Sequence, residues 1–312
     1  MEETTTIESS TPTIPVETEI IEESKNIFIH LANSDQYFPD QSALAQLSSS
    51  MMELSYEVLS SNDLPDSNLT FSFVLLFEPS QETLSHFQPE NVERFLIVQE
   101  RVDEIFEKPS TVFEVSAANR LFIAGYLSAI ISNDWRVGGL LPTIQYQNTG
   151  ADIVFQNGVV FLCGRCSPTY GPIVNFPITN LLSIPEDNKA TLQAYAEIAT
   201  NKINTLYIPS VYLFDDLVIL LKQSGVTIVS DAIPTIEQSD WIDYAIVDNL
   251  HGLIIGTISK TDQQGGLEKI PVEFSVYASA RELSPGKSNF INNMIDNLQA
   301  GFISPYQIPI EQ

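Results

Sequence analysis

Basic residues are scarce in this chain of 312 residues. Fourteen Lys and Arg stand against 40 Asp and Glu, giving a formal net charge of −26. A surface of that sign repels phosphate backbones and anionic lipid head groups, and no Lys/Arg cluster offers a local exception. Nucleic acid is therefore excluded as a partner, and self-repulsion favours a soluble monomer. Long apolar runs are missing as well, so no segment is suited to span a bilayer. Histidine is rare: His30, His86 and His251 are the only three, and none lies at ligand spacing from another. The sequences HExxH, GxSxG and GxxxxGK[ST] do not occur, and no nucleophile stands beside a base. These absences point away from catalysis, from a metal and from a bound cofactor.

Cysteine is nearly absent too. Cys163 and Cys166 lie in the stretch FLCGRCSPTYGP. Zinc needs about four ligands, and two thiols without a nearby histidine supply half of them. A redox C-x-x-C sits at a helix N-terminus, where the dipole favours thiolate. Here VVFLCG ends a helical pattern, so the pair straddles a helix C-terminus instead. Gly164 lets the chain turn sharply enough for the sulfurs to meet. A structural disulfide in an oxidising compartment leads, ahead of two free thiols, a redox function and, last, a metal site.

The first 24 residues, MEETTTIESSTPTIPVETEIIEES, hold no Lys or Arg and too little apolar surface to offset chain entropy. They read as a disordered acidic tether (residues 1–24). The opening MEETTT lacks the basic-then-apolar character of a secretory signal. Two expectations fit: a cytoplasmic protein, or an extracytoplasmic one lipid-anchored through a removed signal, with Met1 added.

From Lys25 strands and helices alternate. NIFIHLA (26–32), YEVLS, LTFSFVLLFEP (69–79), RFLIVQE (94–100), TVFEVS (111–116) and RVGGLLP (136–142) read as strands. Helices are expected at 42–54 with Ser42 as N-cap, at 80–87 capped by Ser80, and at 117–132. The second half repeats the scheme. Helices are expected at 149–164, 187–203, 211–225 and 289–305, with strands at PIVNFPI, TLYIP, 226–234 and EKIPVEFSVY. DWIDYAIVDNLHGLIIGTISK passes from a strand into a helix that starts near Asp248. Runs apolar on both faces and joined through helices predict α/β architecture with parallel sheets covered on both sides. In such sheets ligands sit beyond the carboxyl ends of the strands. The loops there offer Ser34, Asp35, Tyr37, Phe38, Glu78, Gln99, Glu100, Asn119, Tyr207, Ser210, Tyr212 and Asp231. Aromatic rings supply a stacking face, and carboxylates and amides set a ligand's orientation.

Several stretches, in order and at matching spacing, resemble the basic membrane protein family of nucleoside-binding lipoproteins. These are FPDQSALAQL, LFIAGYLSAIISNDWRVGGLLP, FQNGVVF, DWIDYAIVDNLHGLIIG, ELSPGK and LQAGFISP. The resemblance implies a type 1 periplasmic-binding-protein architecture: two Rossmann-like lobes joined by three crossings. Lobe one would hold 25–141 plus 243–268, and lobe two 142–242 plus 269–312. It implies that Phe38 stacks on a base and that Asp231 contacts the ribose, with Tyr212 near the second-lobe aromatic. The family's asparagine is replaced by Pro39 and Asp40, and its lysine by Asp248.

The function this implies is capture of a small ligand, nucleoside-like by preference, through hinge closure, and delivery to the permease of an ABC transporter. The candidate ligand residues are Asp35, Tyr37, Phe38, Asp40, Glu78, Asn119, Ser210, Tyr212, Asp231 and Asp248. Two other readings stay open: a ligand-sensing domain of the same fold in signalling, and a thiol-dependent redox module.

Overall fold

The computed structural model describes residues 25–34, 37, 41–100, 109–164, 166–167, 174–183, 188–232, 241–260, 266–279 and 282–307. The acidic tether lies outside them. The chain forms two six-stranded sheets with helices between the strands. The first sheet holds β1 (Asn26–His30), β2 (Glu57–Ser61), β3 (Phe71–Phe77), β4 (Val92–Gln99) and β5 (Ser110–Glu114), joined late in the chain by β13 (Leu267–Pro271). Their order is β13-β5-β4-β3-β1-β2, all parallel. The second sheet holds β6 (Val137–Pro142), β9 (Ile178–Leu182), β10 (Thr205–Tyr207), β11 (Thr227–Ser230), β12 (Tyr244–Asp248) and β14 (Phe274–Ala278). Its order is β14-β12-β11-β10-β6-β9, parallel except for β14. Each sheet reverses its strand order once, at β1/β3 and at β6/β10. Such a reversal opens a crevice at the carboxyl ends of the strands.

Side-chain alternation explains how the first sheet buries both faces. Ile27, Ile29, Leu75, Leu96 and Val98 join the main core, while Phe28, Val74, Leu76, Phe95 and Ile97 form a second core on the opposite face. That second core is closed by Leu84 of α2 (Gln81–His86) and by Phe87. Ser80 caps α2 as expected, accepting from the Thr83 N–H at 3.1 Å. The helix α1 (Gln41–Glu53) starts one residue before Ser42, which therefore falls inside the first turn and not at the cap.

The second sheet is covered by α3 (Ala117–Ile131), α4 (Ala151–Cys163) and α8 (Pro285–Gln299) on the side where α3 touches β10, β11 and β12. Helices α3 and α4 meet backbone to backbone. A Cβ built on Gly125 would stand 2.2 Å from the Phe155 carbonyl oxygen, and one on Gly158 would stand 2.0 Å from that of Phe122. The stretches LFIAGYLS and FQNGVVF, which carry part of the family resemblance, are thus the two faces of one helix contact. The remaining helices are α5 (Asn188–Ala199), α6 (Asp215–Gln223) and α7 (Leu250–Ser259).

The chain passes between the lobes three times: after β5 into α3, after β12 into α7, which packs on α1, and between β13 and β14. These passages differ from the boundaries expected at 141, 242 and 268. Strand β6, placed with the first lobe, pairs with β10 and β9. Strand β12, also placed there, pairs with β11 and β14. EKIPVEFSVY is two strands in two sheets, split at Val272–Glu273. Apolar pattern identifies a strand, but backbone hydrogen bonds decide its sheet. Smaller shifts have local causes. Helix α4 starts at Ala151 because β7 (Gln145–Tyr146) and β8 (Thr149–Gly150) pair as a hairpin. The strand expected at PIVNFPI starts only at Ile178. A single 3-10 turn at Ser210–Tyr212 delays α6 to Asp215. Helix α8 starts early at Pro285, a residue suited to the first helical position, behind the N-cap Ser284.

Candidate functional site

Polar side chains gather where the strands of both sheets end. From the first sheet, the loop after β1 supplies Tyr37, buried and stacked on Phe77 with ring centroids 6.0 Å apart. Its hydroxyl donates to Glu78, the residue after β3. Glu78 holds a left-handed backbone, φ 42°, which turns its carboxylate across the sheet end. The same Oε1 accepts the Glu100 N–H at 2.8 Å, just past β4. Glu100 in turn accepts from the Ser116 hydroxyl at 3.2 Å and from the Tyr306 hydroxyl at 2.8 Å. Ser116 caps α3 by accepting the Asn119 N–H at 3.1 Å. Burial, then Glu78, pushes the Tyr37 phenol far above its ordinary pKa, so it stays a donor.

The second sheet supplies Tyr207 at the end of β10, its ring stacked on Phe155 with centroids 5.5 Å apart. Ser210 follows, and its N–H donates to Asp231 Oδ1 at 2.8 Å. Asp231 sits just past β11. Tyr212 is buried, and its hydroxyl donates to the Leu182 carbonyl at 3.2 Å. Burial, then Asp231, raises the pKa of Tyr207 well above 10 and that of Tyr212 to about 12. Tyr146, on the hairpin after β6, is half-buried and also raised to about 12, chiefly by burial.

Arg120 stands between these groups. Its Nη2 donates to Asp248 Oδ2 at 2.5 Å, and its guanidinium carbon lies 5.9 Å from the Phe274 ring centroid. Burial alone lowers its pKa, but Asp248 and then Asp231 more than reverse this, so the guanidinium remains charged. Asp248 Oδ1 accepts the Leu250 N–H at 3.1 Å, so both its oxygens are engaged. Three residues that feel one another here belong to three crossings: Arg120 to the first, Asp248 to the second and Phe274 to the third.

The two groups of side chains lie within electrostatic reach of each other. Tyr146 feels the charges of Glu100, Asp231 and Arg120 together, and Tyr37 feels Arg120. Among the described residues, Arg120 Nε, Ser210 Oγ, Ser230 Oγ and, at the end of β1, His30 Nδ1 are buried without a hydrogen-bond partner. Buried polar atoms of this kind call for a partner. Also among the described residues, no group of three or more His, Cys, Asp or Glu is arranged to hold a metal ion.

Of the residues expected from sequence, the structure brings together Tyr37, Glu78, Ser210, Asp231 and Asp248. Tyr212 lies beside them as a packed ring. Asn119 is half-buried in the first turn of α3. Asp35, Phe38 and Asp40 lie outside the described residues. Sequence reasoning missed Arg120, Tyr146 and Tyr306. For Arg120 a signal existed: it is the one charge in AANRLFIAGYLSAII, a helix buried along most of its length, and a buried charge is rare without a purpose. Tyr146 and Tyr306 carried no such mark.

Cys163 and Cys166 are joined as a disulfide with Cα atoms 5.3 Å apart. They lie at the C-terminal end of α4. A helix that follows a parallel strand runs back along the sheet, so this pair sits at the opposite end from the site. No helix among the described residues is long and apolar enough to cross a membrane.

No protein-family profile matches the chain, and no curated protein matches it in sequence. Solved structures do match in fold. A solute-binding protein of an ABC transporter system from Conexibacter woesei superposes with TM-score 0.58 at 10% identity, covering 90% of this chain and 97% of that one. A transcriptional activator of the comK gene from Bacillus halodurans gives 0.52 at 13% identity, covering 92% and 100%. A transcription regulator from Staphylococcus saprophyticus gives 0.50 at 13%, covering 82% and 98%. At these identities the likeness is one of fold.

Proposed function

We propose that the chain is a solute-binding protein that takes up a neutral, hydroxyl-rich ring compound between its lobes, a nucleoside by preference. The observation that carries this reading is the convergence of Arg120, Asp231 and Glu100 with four tyrosines, Tyr37, Tyr146, Tyr207 and Tyr306, where the strands of both sheets end, with Tyr212 packed behind them. Carboxylates accept from sugar hydroxyls, the guanidinium donates to them, and aromatic faces cover the apolar side of a ring. Four carboxylates, Glu78, Glu100, Asp231 and Asp248, stand at the strand ends with Arg120, whose guanidinium is paired with Asp248 and feels Asp231. That balance disfavours a phosphorylated ligand, which supports a nucleoside or sugar over a nucleotide. Phe38, which lies outside the described residues, is in this reading the residue that stacks on a base.

A ligand adds to closure only through contacts that it makes with both lobes at once. Hinge motion at the three crossings supplies closure, and the loaded protein delivers its ligand to a membrane permease from the extracytoplasmic side. The likeness in fold to the Bacillus halodurans and Staphylococcus saprophyticus regulators supports a second reading, a ligand-sensing domain that acts through another protein. The net charge of −26 disfavours direct contact with DNA in that case.

The test is native mass spectrometry of the purified protein, followed by a thermal-shift panel of nucleosides, bases, sugars and amino acids. A co-purified or stabilising nucleoside is expected, with the shift abolished in Phe38→Ala and in Asp231→Asn. Stabilisation by sugars or amino acids alone would keep the binding role and overturn the nucleoside preference. No hit in any class would count against ligand capture.

A further inference from the structure

We infer that the C-terminal segment Ile303–Tyr306 is a strap that ties the second lobe to the first and holds the lobes in the closed arrangement, with Tyr306 as its positioning residue. The segment is seated on the second lobe. Asn157 of α4, fully buried, donates from Nδ2 to the Pro305 carbonyl at 2.8 Å. Pro305 is itself buried, and Ile303 and Tyr306 pack against the main core. From that seat Tyr306 reaches across the lobes, and its hydroxyl donates to Glu100 Oε1 at 2.8 Å. Glu100 is a first-lobe residue at the end of β4, and its own N–H is held by Glu78. One donor is a neutral phenol and the acceptor a carboxylate, so the bond belongs to the stronger, charge-assisted class. Burial, then the bond to Glu100, keeps this phenol protonated well beyond its ordinary range.

Position makes the bond informative. Glu100 Oε1 also accepts from Ser116, in the first crossing itself. Opening the lobes by rotation about the crossings moves the carboxyl end of β4 away from a strap fixed on α4. The two donors share that oxygen but are carried differently: Ser116 by the crossing itself, Tyr306 by the second lobe through Pro305 and Asn157, so in this inference opening keeps the first bond and breaks the second. Tyr306 also lies close enough to Tyr146 for their charges to interact, so the strap borders the proposed ligand site. The inference rests on the hinge-closure reading given above, and goes beyond it by assigning the closed state a tie made by the protein alone.

The experiment uses the ligand-free full chain carrying a nitroxide pair at Glu53→Cys on α1 and Asn292→Cys on α8. Both positions are exposed, one on each lobe, and the separation is read by double electron–electron resonance. The parent protein is expected to show one short distance. Tyr306→Phe, which removes one hydroxyl, is expected to add a longer distance and raise the open-to-closed ratio about tenfold, the scale of a hydrogen bond to a charged group. Glu100→Gln is expected to shift the ratio the same way but less, and the double variant to go no further than Tyr306→Phe alone. One unchanged short distance in Tyr306→Phe would overturn the strap and also count against hinge opening. Two distances already present in the parent, in a ratio that Tyr306→Phe does not alter, would overturn the strap while leaving the hinge intact. Full additivity of the two substitutions would overturn the pairing with Glu100.

Discussion

The two lobes share a strand order yet solve the problem of holding a site differently. In the first lobe the sheet is packed on both faces by large side chains, and its site residues come from turns at the strand ends: Tyr37, Glu78 and Glu100. In the second lobe the corresponding residues rest on a stiffer base. Tyr207 stacks on Phe155 of α4, whose carbonyl in turn lies against Gly125 of α3. Arg120 projects from the first turn of that same α3. One lobe thus offers hydrogen-bonded turns, the other a helix pair locked backbone to backbone. The difference suggests a division of labour. The second lobe fixes the geometry of Arg120 and Asp231, and the first brings acceptors to it.

The sharpest way to break this comparison is at the helix contact. Gly158→Ala places a methyl group about where the Phe122 carbonyl oxygen stands, and neither backbone can yield without separating α3 from α4. The loss of stability should reach or exceed the roughly 3 kcal/mol upper range of overpacking, as read from chemical unfolding. Gly286→Ala, in the first turn of α8, meets nothing within 4 Å and serves as the control. A Gly158→Ala protein as stable as the control would show that the second lobe is not the rigid half.

Next in size is Arg120→Met. It leaves Asp248 without its ion-pair partner, although the Leu250 N–H still reaches the carboxylate. Removing one member of a buried pair is costly. With Asp248 17% exposed at the side chain, a loss of about 2–3 kcal/mol is expected. The same substitution should abolish any ligand-induced thermal shift, because Arg120 lies at once at the crossings and in the proposed site. Loss of stability with binding retained would confine Arg120 to the hinge.

The pattern of apolar runs made the fold legible: both sheets, their helices and the α/β class follow from period and length. Membership of β6, β12 and the split β13–β14 did not, because a strand's partner depends on hydrogen bonds formed far away in sequence. Of the candidate site, half of the residues were legible. Loops after strands announce Tyr37, Glu78, Ser210 and Asp231, since the fold class itself says where ligands lie. Tyr146 sits on a two-residue strand of a hairpin that periodicity cannot register, and Tyr306 on a segment beyond the last helix. The tyrosine expected to line the site, Tyr212, is instead a packed ring, because its hydroxyl finds the Leu182 carbonyl. Sequence position alone does not distinguish a ring that faces a ligand from one that seals the wall behind it.

An acid response is expected in the first lobe. His30 lies in the first lobe, and burial lowers its pKa below 6.5. The folded state therefore resists protonation that the unfolded chain accepts, so stability falls as pH drops below 6.5. His30→Leu should flatten the stability profile between pH 7 and pH 5, as followed by thermal unfolding. A profile unchanged by the substitution would mean that His30 is solvated.

The smallest effect is expected from Lys222→Ala in α6 of the second lobe. Lys222 Nζ donates to both oxygens of Asp243 at 3.1 Å, whereas Arg120 reaches one oxygen of Asp248 at 2.5 Å. Exposure decides between them, because the Lys222 side chain is 36% exposed and that of Arg120 is 9%. Water screens the outer pair, and Asp243 keeps the Ile228 N–H at 2.8 Å after the lysine is gone. The change should stay within about 1 kcal/mol and shrink further in salt. A loss comparable to that of Arg120→Met would mean that the second lobe draws its rigidity from surface charge and not from the α3–α4 contact.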